Sequence, residues 1–221
     1  MSRIVVKLGG AVAAEATGLV ARMAREHAVC VVHGAGPQIS AEMKRLGLDV
    51  AFVCGRRVTT EAGLAVVRAS LATMNADICA ALGSRAVPLF GDEIGLRATP
   101  VPELGLVGEA LPSRPADVED ALAAGMIPVV APLAEGPLNV NADGAAAALA
   151  IGLGADRILF LTDVPGLLLG GAIAATIHGV EAERLLDAGE LSGGIVPKLR
   201  AAVGAARGGV HAEIGATAVL A

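Results

Sequence analysis

Tryptophan and tyrosine are absent from this chain, and phenylalanine occurs only as Phe52, Phe90 and Phe160, each inside an apolar run. No aromatic platform is therefore available for bases to stack on. Cations are also outnumbered: 17 Lys and Arg against 22 Asp and Glu leave a net charge of −5. With no basic stripe, nucleic acid is excluded as a main partner. Cys30, Cys54 and Cys79 are an odd number without CxxC spacing, and read as buried free thiols rather than as a disulfide or metal site. His27, His33, His178 and His211 form no metal-spaced pair, so no side chain is assigned to a metal.

Long apolar runs are missing too, although the mean hydropathy is +0.67. The richest run, Gly144 to Ala155, breaks at Asp156-Arg157, well short of the ~20 residues a membrane span needs. It reads as a buried, alanine-rich helix. The first residues lack the charged, then apolar, then small pattern of a signal peptide, and the expectation is a cytoplasmic protein without membrane attachment. A length of 221 residues suits one large domain, or two lobes sharing a sheet.

What is present is organised around the opening stretch Ile4-Val5-Val6-Lys7-Leu8-Gly9-Gly10. Branched apolar residues predict a buried strand, and two glycines after it allow a sharp turn with bare backbone N–H groups. Lys7 falls at the carboxyl end of that strand, where open α/β sheets place ligands. Two readings stand for it: a phosphate contact, or a surface lysine closing an edge strand. Lysine is scarce, since Lys7, Lys44 and Lys198 are the only ones and arginine serves elsewhere. Keeping a compact ammonium at a few positions favours a specific use for it.

Downstream, the pattern predicts a helix over Thr17 to Arg25 and a buried strand over Ala28 to Val32, hence a β-α-β unit. His33-Gly34-Ala35-Gly36-Pro37-Gln38 is a second small-residue turn leading into a helix, the usual backbone device for holding an anion. A dinucleotide fingerprint fails because Ile39 stands where its third glycine belongs, and a P-loop fails because no lysine follows a glycine. Ala51 to Thr59 predicts a short strand or hairpin carrying Arg56 and Arg57. These are either a solvated pair or, in one case, a fork for a carboxylate.

Thr59 or Thr60 then caps a long helix to about Leu82, Ala86 to Phe90 is a strand, and Gly91 to Ser113 is loop and hairpin. Pro115 opens a helix ending near Gly125, and Ile127 to Ala131 is a strand. Asn139-Val140-Asn141-Ala142-Asp143 precedes the alanine-rich helix; these residues are either caps or ligands. Arg157 to Leu161 is a strand, Thr162 to Gly166 a turn, and Glu181 to Ala188 a helix. Ser192-Gly193-Gly194-Ile195-Val196-Pro197-Lys198 repeats the theme of glycine turn, helix start and lysine, and two short strands close the chain at His211 to Ile214 and Thr217 to Leu220. Alternating strands and helices predict a three-layer αβα sandwich around a mainly parallel sheet. A change of character near residues 155–160 divides it into a lobe over 1–157 and a second over 158–221.

With Lys7-Leu8-Gly9-Gly10, His33 to Gln38, Gly55 to Thr59, Asn139 to Asp143, Thr162 to Gly166 and Gly193 to Lys198 in this order, the sequence resembles the amino acid kinase family, over nearly its whole length. The likeness is greatest to the branch whose acceptor is N-acetyl-L-glutamate. The resemblance implies that the first lobe binds the acceptor and carries the dimer contact, and that the second binds ATP with Mg²⁺ carried by the nucleotide. Arg57 would hold the α-carboxylate, with Asn139, Asn141 and the amides of Ala35 and Gly36 placing the acceptor. Lys7 and Lys198 would meet the transferring phosphoryl group from opposite sides, oriented by Asp143. Gly9 and Gly10 would offer amides to phosphates. Asp163, Val164, Pro165, Gly166, Leu167 and Leu168, with Glu190, Leu191 and Ser192, would line the nucleotide pocket.

Several features depart from the family pattern. Ala35 replaces the middle glycine of the second turn, and Ile214-Gly215-Ala216-Thr217 joins the last two strands directly where relatives insert a loop and helix. No helical extension precedes the first strand, which by resemblance implies a homodimer without arginine feedback. The alternatives are a kinase for N-acetyl-aminoadipate or a related carboxylate, and an idle ligand sensor. Retention of Lys7, Asp143 and Lys198 together speaks against the sensor.

Overall fold

A computed structural model describes residues 1–9, 13–161 and 165–221. Its first half runs β1 (Arg3–Leu8), α1 (Ala13–Met23), β2 (Ala28–His33), α2 (Gly36–Arg45), β3 (Phe52–Val53), β4 (Arg56–Arg57), α3 (Glu61–Leu82), β5 (Ala86–Phe90), β6 (Ala98–Pro100) and β7 (Val107–Ala110). Then follow α4 (Ala116–Ala123), β8 (Ile127–Ala131), β9 (Leu133–Ala134), β10 (Leu138–Val140), α5 (Ala142–Gly152) and β11 (Arg157–Leu161). The last part is β12 (Leu168–Leu169), β13 (Ala172–Ile173), β14 (Thr176–His178), α6 (Gly179–Asp187), α7 (Ile195–Arg207), β15 (His211–Ile214) and β16 (Thr217–Leu220).

Eight strands form the central sheet in the order β14-β16-β15-β11-β1-β2-β8-β5. Every neighbouring pair is parallel except β15–β16, the hairpin closed by Gly215-Ala216. The sheet is flanked on both faces by helices, as the alternating pattern predicts. From β1 the chain passes to β2, crosses to the edge strand β5, comes back to fill the gap with β8, and then lays β11 on the other side of β1. The boundary between β1 and β11 is thus the topological switch point, where a ligand crevice opens at the carboxyl ends of the strands.

Side-chain alternation divides the core in two. Ile4, Val6 and Leu8 of β1 pack with Val29 and Val31 of β2 against Val20 of α1, Ile39 of α2 and Val67 of α3. Val5, Cys30 and Val32 pack on the opposite face with α4, α5 and, further along, α6 and α7. Lys7 shares the parity of Val5, so strand geometry alone sends it to the α5 and α7 face. His33 shares the parity of Val31 and is sent toward α3.

Some local expectations shift. The first helix begins at Ala13 rather than Thr17, and β6 and β7 join β10 and β9 in a separate four-stranded sheet. The short strands β9, β12, β13 and β14 have too few residues to carry a period. Cys54 is exposed rather than buried, because it occupies the turn of the β3–β4 hairpin with φ of +48°. Among the described helices α3, not the 144–155 run, is long and apolar enough by length and composition to cross a membrane. In the fold its Val66, Val67, Leu71, Met74 and Ile78 are buried on one face against the sheet and α2.

The residues entering α3 tie this frame to the site. Thr59 is fully buried, accepts from the Leu106 amide at 2.8 Å and donates its own amide to Leu104 at 2.9 Å. Gly105 lies between them with φ of +81°, and a Cβ there would collide with the Thr59 carbonyl oxygen. Both the left-handed backbone and the close approach demand glycine. Gly105→Ala is therefore expected to lower unfolding stability by about 2 kcal/mol or more. An unchanged melting temperature would show that the contact is not maintained in solution.

Candidate active site

Three charged side chains separated widely in sequence meet over the carboxyl end of β1. Asn141 caps α5, its side-chain oxygen accepting from the amides of Asp143 at 2.9 Å and Gly144 at 3.3 Å. That cap places Asp143 in the first turn of α5. Lys198 sits in the first turn of α7, which packs along α5. The Lys7 ammonium is 2.9 Å from Asp143 Oδ1, and the Lys198 ammonium is 3.2 Å from the same oxygen. All three residues are buried, with exposures of 6 to 7%.

Buried ammonium groups are costly without a partner. Here two share one carboxylate, so the cluster keeps one uncompensated positive charge. Burial lowers the pKa of Lys198; Asp143 opposes that shift and Lys7 adds to it. A further anion arriving at the cluster relieves the imbalance.

Beside the cluster lies a cavity of about 270 Å³ reaching from Lys7 and Asp143 to Arg57 and Asn139. The turn Gly34 to Gly36 forms one wall, the β3–β4 hairpin another, and Leu71, Val107 and Val140 supply apolar surface. Arg57 is 6% exposed and has no acidic partner among the described residues. It donates to Ser40 Oγ at 2.7 Å, to the Gly36 carbonyl at 3.2 Å and to Met43 Sδ at 3.3 Å, and its guanidinium lies 4.6 Å from the Phe52 ring centroid. Burial pushes its pKa down from the usual arginine range. Neutral contacts thus hold the fork and leave its charge for a ligand. Arg56 is the solvated member of the pair, bound to Glu109 at 2.7 Å.

Residues 2–215 match the amino acid kinase family. The chain belongs to that family. Proteins named acetylglutamate kinase from Rubrobacter xylanophilus and Roseiflexus sp. strain RS-1 are 43% and 38% identical to it. Those alignments cover 97% and 95% of this chain and 88% and 86% of the relatives. In fold the chain is similar to smu.665 from Streptococcus mutans UA159, with a TM-score of 0.84 at 24% identity over 99% of this chain and 98% of that one. Carbamate kinase from Giardia lamblia bound to AMP-PNP gives a TM-score of 0.73 at 14% identity over the same shares. At such identities the structures speak for the shared fold alone.

In this amino acid kinase the cavity brings together Lys7, Ala35, Gly36, Arg57, Asn139, Asn141 and Asp143, with Lys198 joined through Asp143. Ala35 has φ of −139° and is 2% exposed within the core, so its methyl strains neither the backbone nor the turn. Asn139 donates to Thr59 Oγ1 at 3.0 Å, and that hydroxyl donates to the Arg57 carbonyl at 2.8 Å. Asn141 has its oxygen committed to the helix cap, which leaves its NH₂ for a ligand.

Among the described residues, those expected to hold the nucleotide are less gathered. Gly9 donates its amide to the Leu161 carbonyl at 3.3 Å, a long continuation of the β1–β11 ladder. Gly10, Asp163 and Val164 lie outside the described residues. Pro165 is exposed, Gly166 is buried, and Leu168 is 55% exposed. The Leu167 side chain is core rather than pocket wall, and its amide donates to Thr217 Oγ1 at 2.9 Å. Glu190 accepts from Arg184 at 2.8 Å, Leu191 is half-buried and Ser192 exposed. None of the described ones lines the cavity beside the lysines.

Sequence reasoning missed Ser40, Met43 and Thr59, which hold Arg57 and Asn139 from behind. It also missed the pair His33 and Asn75, both 1% exposed or less. Asn75 donates to the Val129 carbonyl at 2.8 Å and lies 3.1 Å from His33 Nε2, while Cys79 Sγ donates to its side-chain oxygen at 3.4 Å. A polar residue among the apolar positions of α3 was the available signal.

Burial lowers the pKa of His33 from 6.5 to about 4, against a smaller raising effect of the Gly34 backbone. Below pH 6.5 the unfolded chain takes up a proton that the folded chain refuses until about pH 4. Stability contributed by this residue is therefore whole above pH 6.5 and falls between there and pH 4, by up to about 3 kcal/mol. Urea unfolding at pH 7 and pH 4.5 should show a smaller acid loss in His33→Gln than in the parent. Equal losses would place His33 outside the acid response.

Proposed function

We propose that this chain is a kinase that transfers the γ-phosphoryl group of ATP to the side-chain carboxylate of N-acetyl-L-glutamate, in arginine biosynthesis. The observation that carries the reading is the convergence of Lys7 and Lys198 on one oxygen of Asp143, beside a cavity holding an arginine that has no acidic partner among the described residues. A side-chain carboxylate has an ordinary pKa near ~4.3 and is already an ionised nucleophile at neutral pH. One of its oxygens bonds to the γ-phosphorus as the bond from phosphorus to the β–γ bridging oxygen breaks. The products are an acyl phosphate and ADP, and no proton moves.

The difficulty is then the meeting of two anions, and catalysis is positioning plus charge neutralisation. Lys7 and Lys198 flank the migrating group, and Asp143 keeps both ammonium groups in place. Arg57 binds the acceptor's α-carboxylate through its fork, with Asn139, Asn141 and the amides of Ala35 and Gly36 fixing the rest of the acceptor. Gly9 and Gly10 are assigned to the phosphates, the Gly9 amide exchanging its long bond to the Leu161 carbonyl for one to a phosphate oxygen. The segments 163–168 and 190–192 hold the nucleotide, which brings Mg²⁺ with it; among the described residues no cluster of His, Cys, Asp or Glu is built to retain the ion.

Residues 1–157 serve as the acceptor lobe and 158–221 as the nucleotide lobe, on one shared sheet. The active form is a cytoplasmic homodimer. The first lobe carries the contact between the two copies.

Purified protein with ATP and a panel of acceptors, trapped with hydroxylamine, should give the acyl hydroxamate from N-acetylglutamate in preference to N-acetyl-aminoadipate. Lys7→Ala and Lys198→Ala should lower kcat by about 10²–10³-fold at nearly unchanged melting temperature, since each leaves a balanced ion pair on Asp143. Parental turnover in either variant removes that lysine from the mechanism. Arg57→Lys should raise KM for the acceptor about tenfold by losing the planar fork, and an unchanged KM takes Arg57 out of the site.

A further inference from the structure

The acceptor wall formed by Gly34 to Gly36 depends on amides that bond to nothing else. Gly36 is the first residue of α2, whose N–H has no intrahelical partner, and the Ala35 amide likewise finds no acceptor among the described residues. Such donors are useful only if the turn is held still. On one side it is anchored to β1, because the Gly34 amide donates to the Leu8 carbonyl at 3.0 Å. On the other side its neighbour is the ring of His33, the last residue of β2.

That ring is buried against α3 and met by Asn75 at 3.1 Å. The amide nitrogen of Asn75 can only donate, so His33 Nε2 accepts and the ring proton resides on Nδ1, which meets no partner among the described residues and leaves the Asn75 bond as the ring's one polar tether there. Asn75 is itself fixed by the Val129 carbonyl of β8 and by the Cys79 thiol. It is the only polar side chain among the buried residues of α3. Burying an amide without bonds costs about 1–3 kcal/mol, and an apolar residue would fill the space without that cost. One turn earlier on the same helix face, Leu71 lines the acceptor cavity. The helix that backs the cavity therefore also grips the strand end from which the glycine turn starts.

We propose that His33 and Asn75 are positioning residues, forming a strut between α3 and β2 that holds the Gly34–Gly36 turn where its free amides meet the acceptor. Its effect on turnover rests on the kinase reading above; its effect on the turn does not. The test uses the full-length chain with His33→Leu, His33→Gln and Asn75→Leu. Glutamine can still accept from Asn75, whereas leucine fills the volume and cannot.

Two readouts are needed. Hydrogen exchange across residues 33–39 of the unligated protein should quicken at least tenfold in His33→Leu and Asn75→Leu, and stay within threefold of the parent in His33→Gln. The acceptor kcat/KM should fall 10- to 100-fold in the two leucine variants, with KM for ATP within threefold, and recover in His33→Gln. A space-filling role ranks leucine above glutamine in both assays and would overturn the strut. If His33→Leu does not fold, Asn75→Leu decides by the same readouts, since it leaves the ring in place and removes only its donor. If the parent turns over no acetylglutamate, the kinase reading falls while exchange still judges the strut.

Discussion

One carboxylate oxygen, Asp143 Oδ1, holds two ammonium groups in a place nearly closed to water. Three elements must deliver their charges there at once: β1 with Lys7, α5 with Asp143 and α7 with Lys198. Any slippage of one element would strand a buried charge, so the electrostatics constrain the packing as much as the packing constrains the electrostatics. The arrangement is also deliberately unbalanced. A second carboxylate would have neutralised the cluster and stabilised the empty site, at the expense of its appetite for an anion. The same logic recurs at Arg57, which is held by a hydroxyl, a carbonyl, a thioether and an aromatic face but, among the described residues, by no acid.

Strand parity links this site to the rest of the molecule. Lys7 and His33 lie at the carboxyl ends of adjacent strands, yet alternation sends one to the α5 and α7 face and the other to α3. The glycine turn after His33 is thus backed from the face opposite the lysines, by a helix that also contributes Leu71 to the apolar wall of the cavity. Backbone amides near the reacting atoms do their work without reorganising only if such support exists. Helix α3 is accordingly more than a cover for the sheet: its inner face also lines the cavity through Leu71.

Much of this was legible beforehand. The strands at 28–33, 86–90, 127–131, 157–161, 211–214 and 217–220 are runs of branched or apolar residues between glycine or proline punctuation, and periodicity locates them. The three-layer architecture follows from their alternation with helices. Lysine scarcity singled out three positions, of which two are in the cluster, while Lys44 is exposed on α2. Local signal is absent elsewhere. Strands of two or three residues show no period, and the turn position of Cys54 outweighs the usual burial of cysteine. The partner of an apolar-looking helix such as α3 is set by what covers it, not by its composition.

The sequence by itself determined the order of elements, the glycine turns, and which residue types are available for phosphate chemistry, because these are local properties of the chain. It could not determine that Lys7 and Lys198 share one oxygen, that Asn141 spends its own oxygen on a helix cap, or that Leu167 belongs to the core. Nor could it pair His33 with Asn75, 42 residues apart. Those are distances between segments that meet only when the sheet is assembled, and strand order and helix packing, rather than any local preference, decide them.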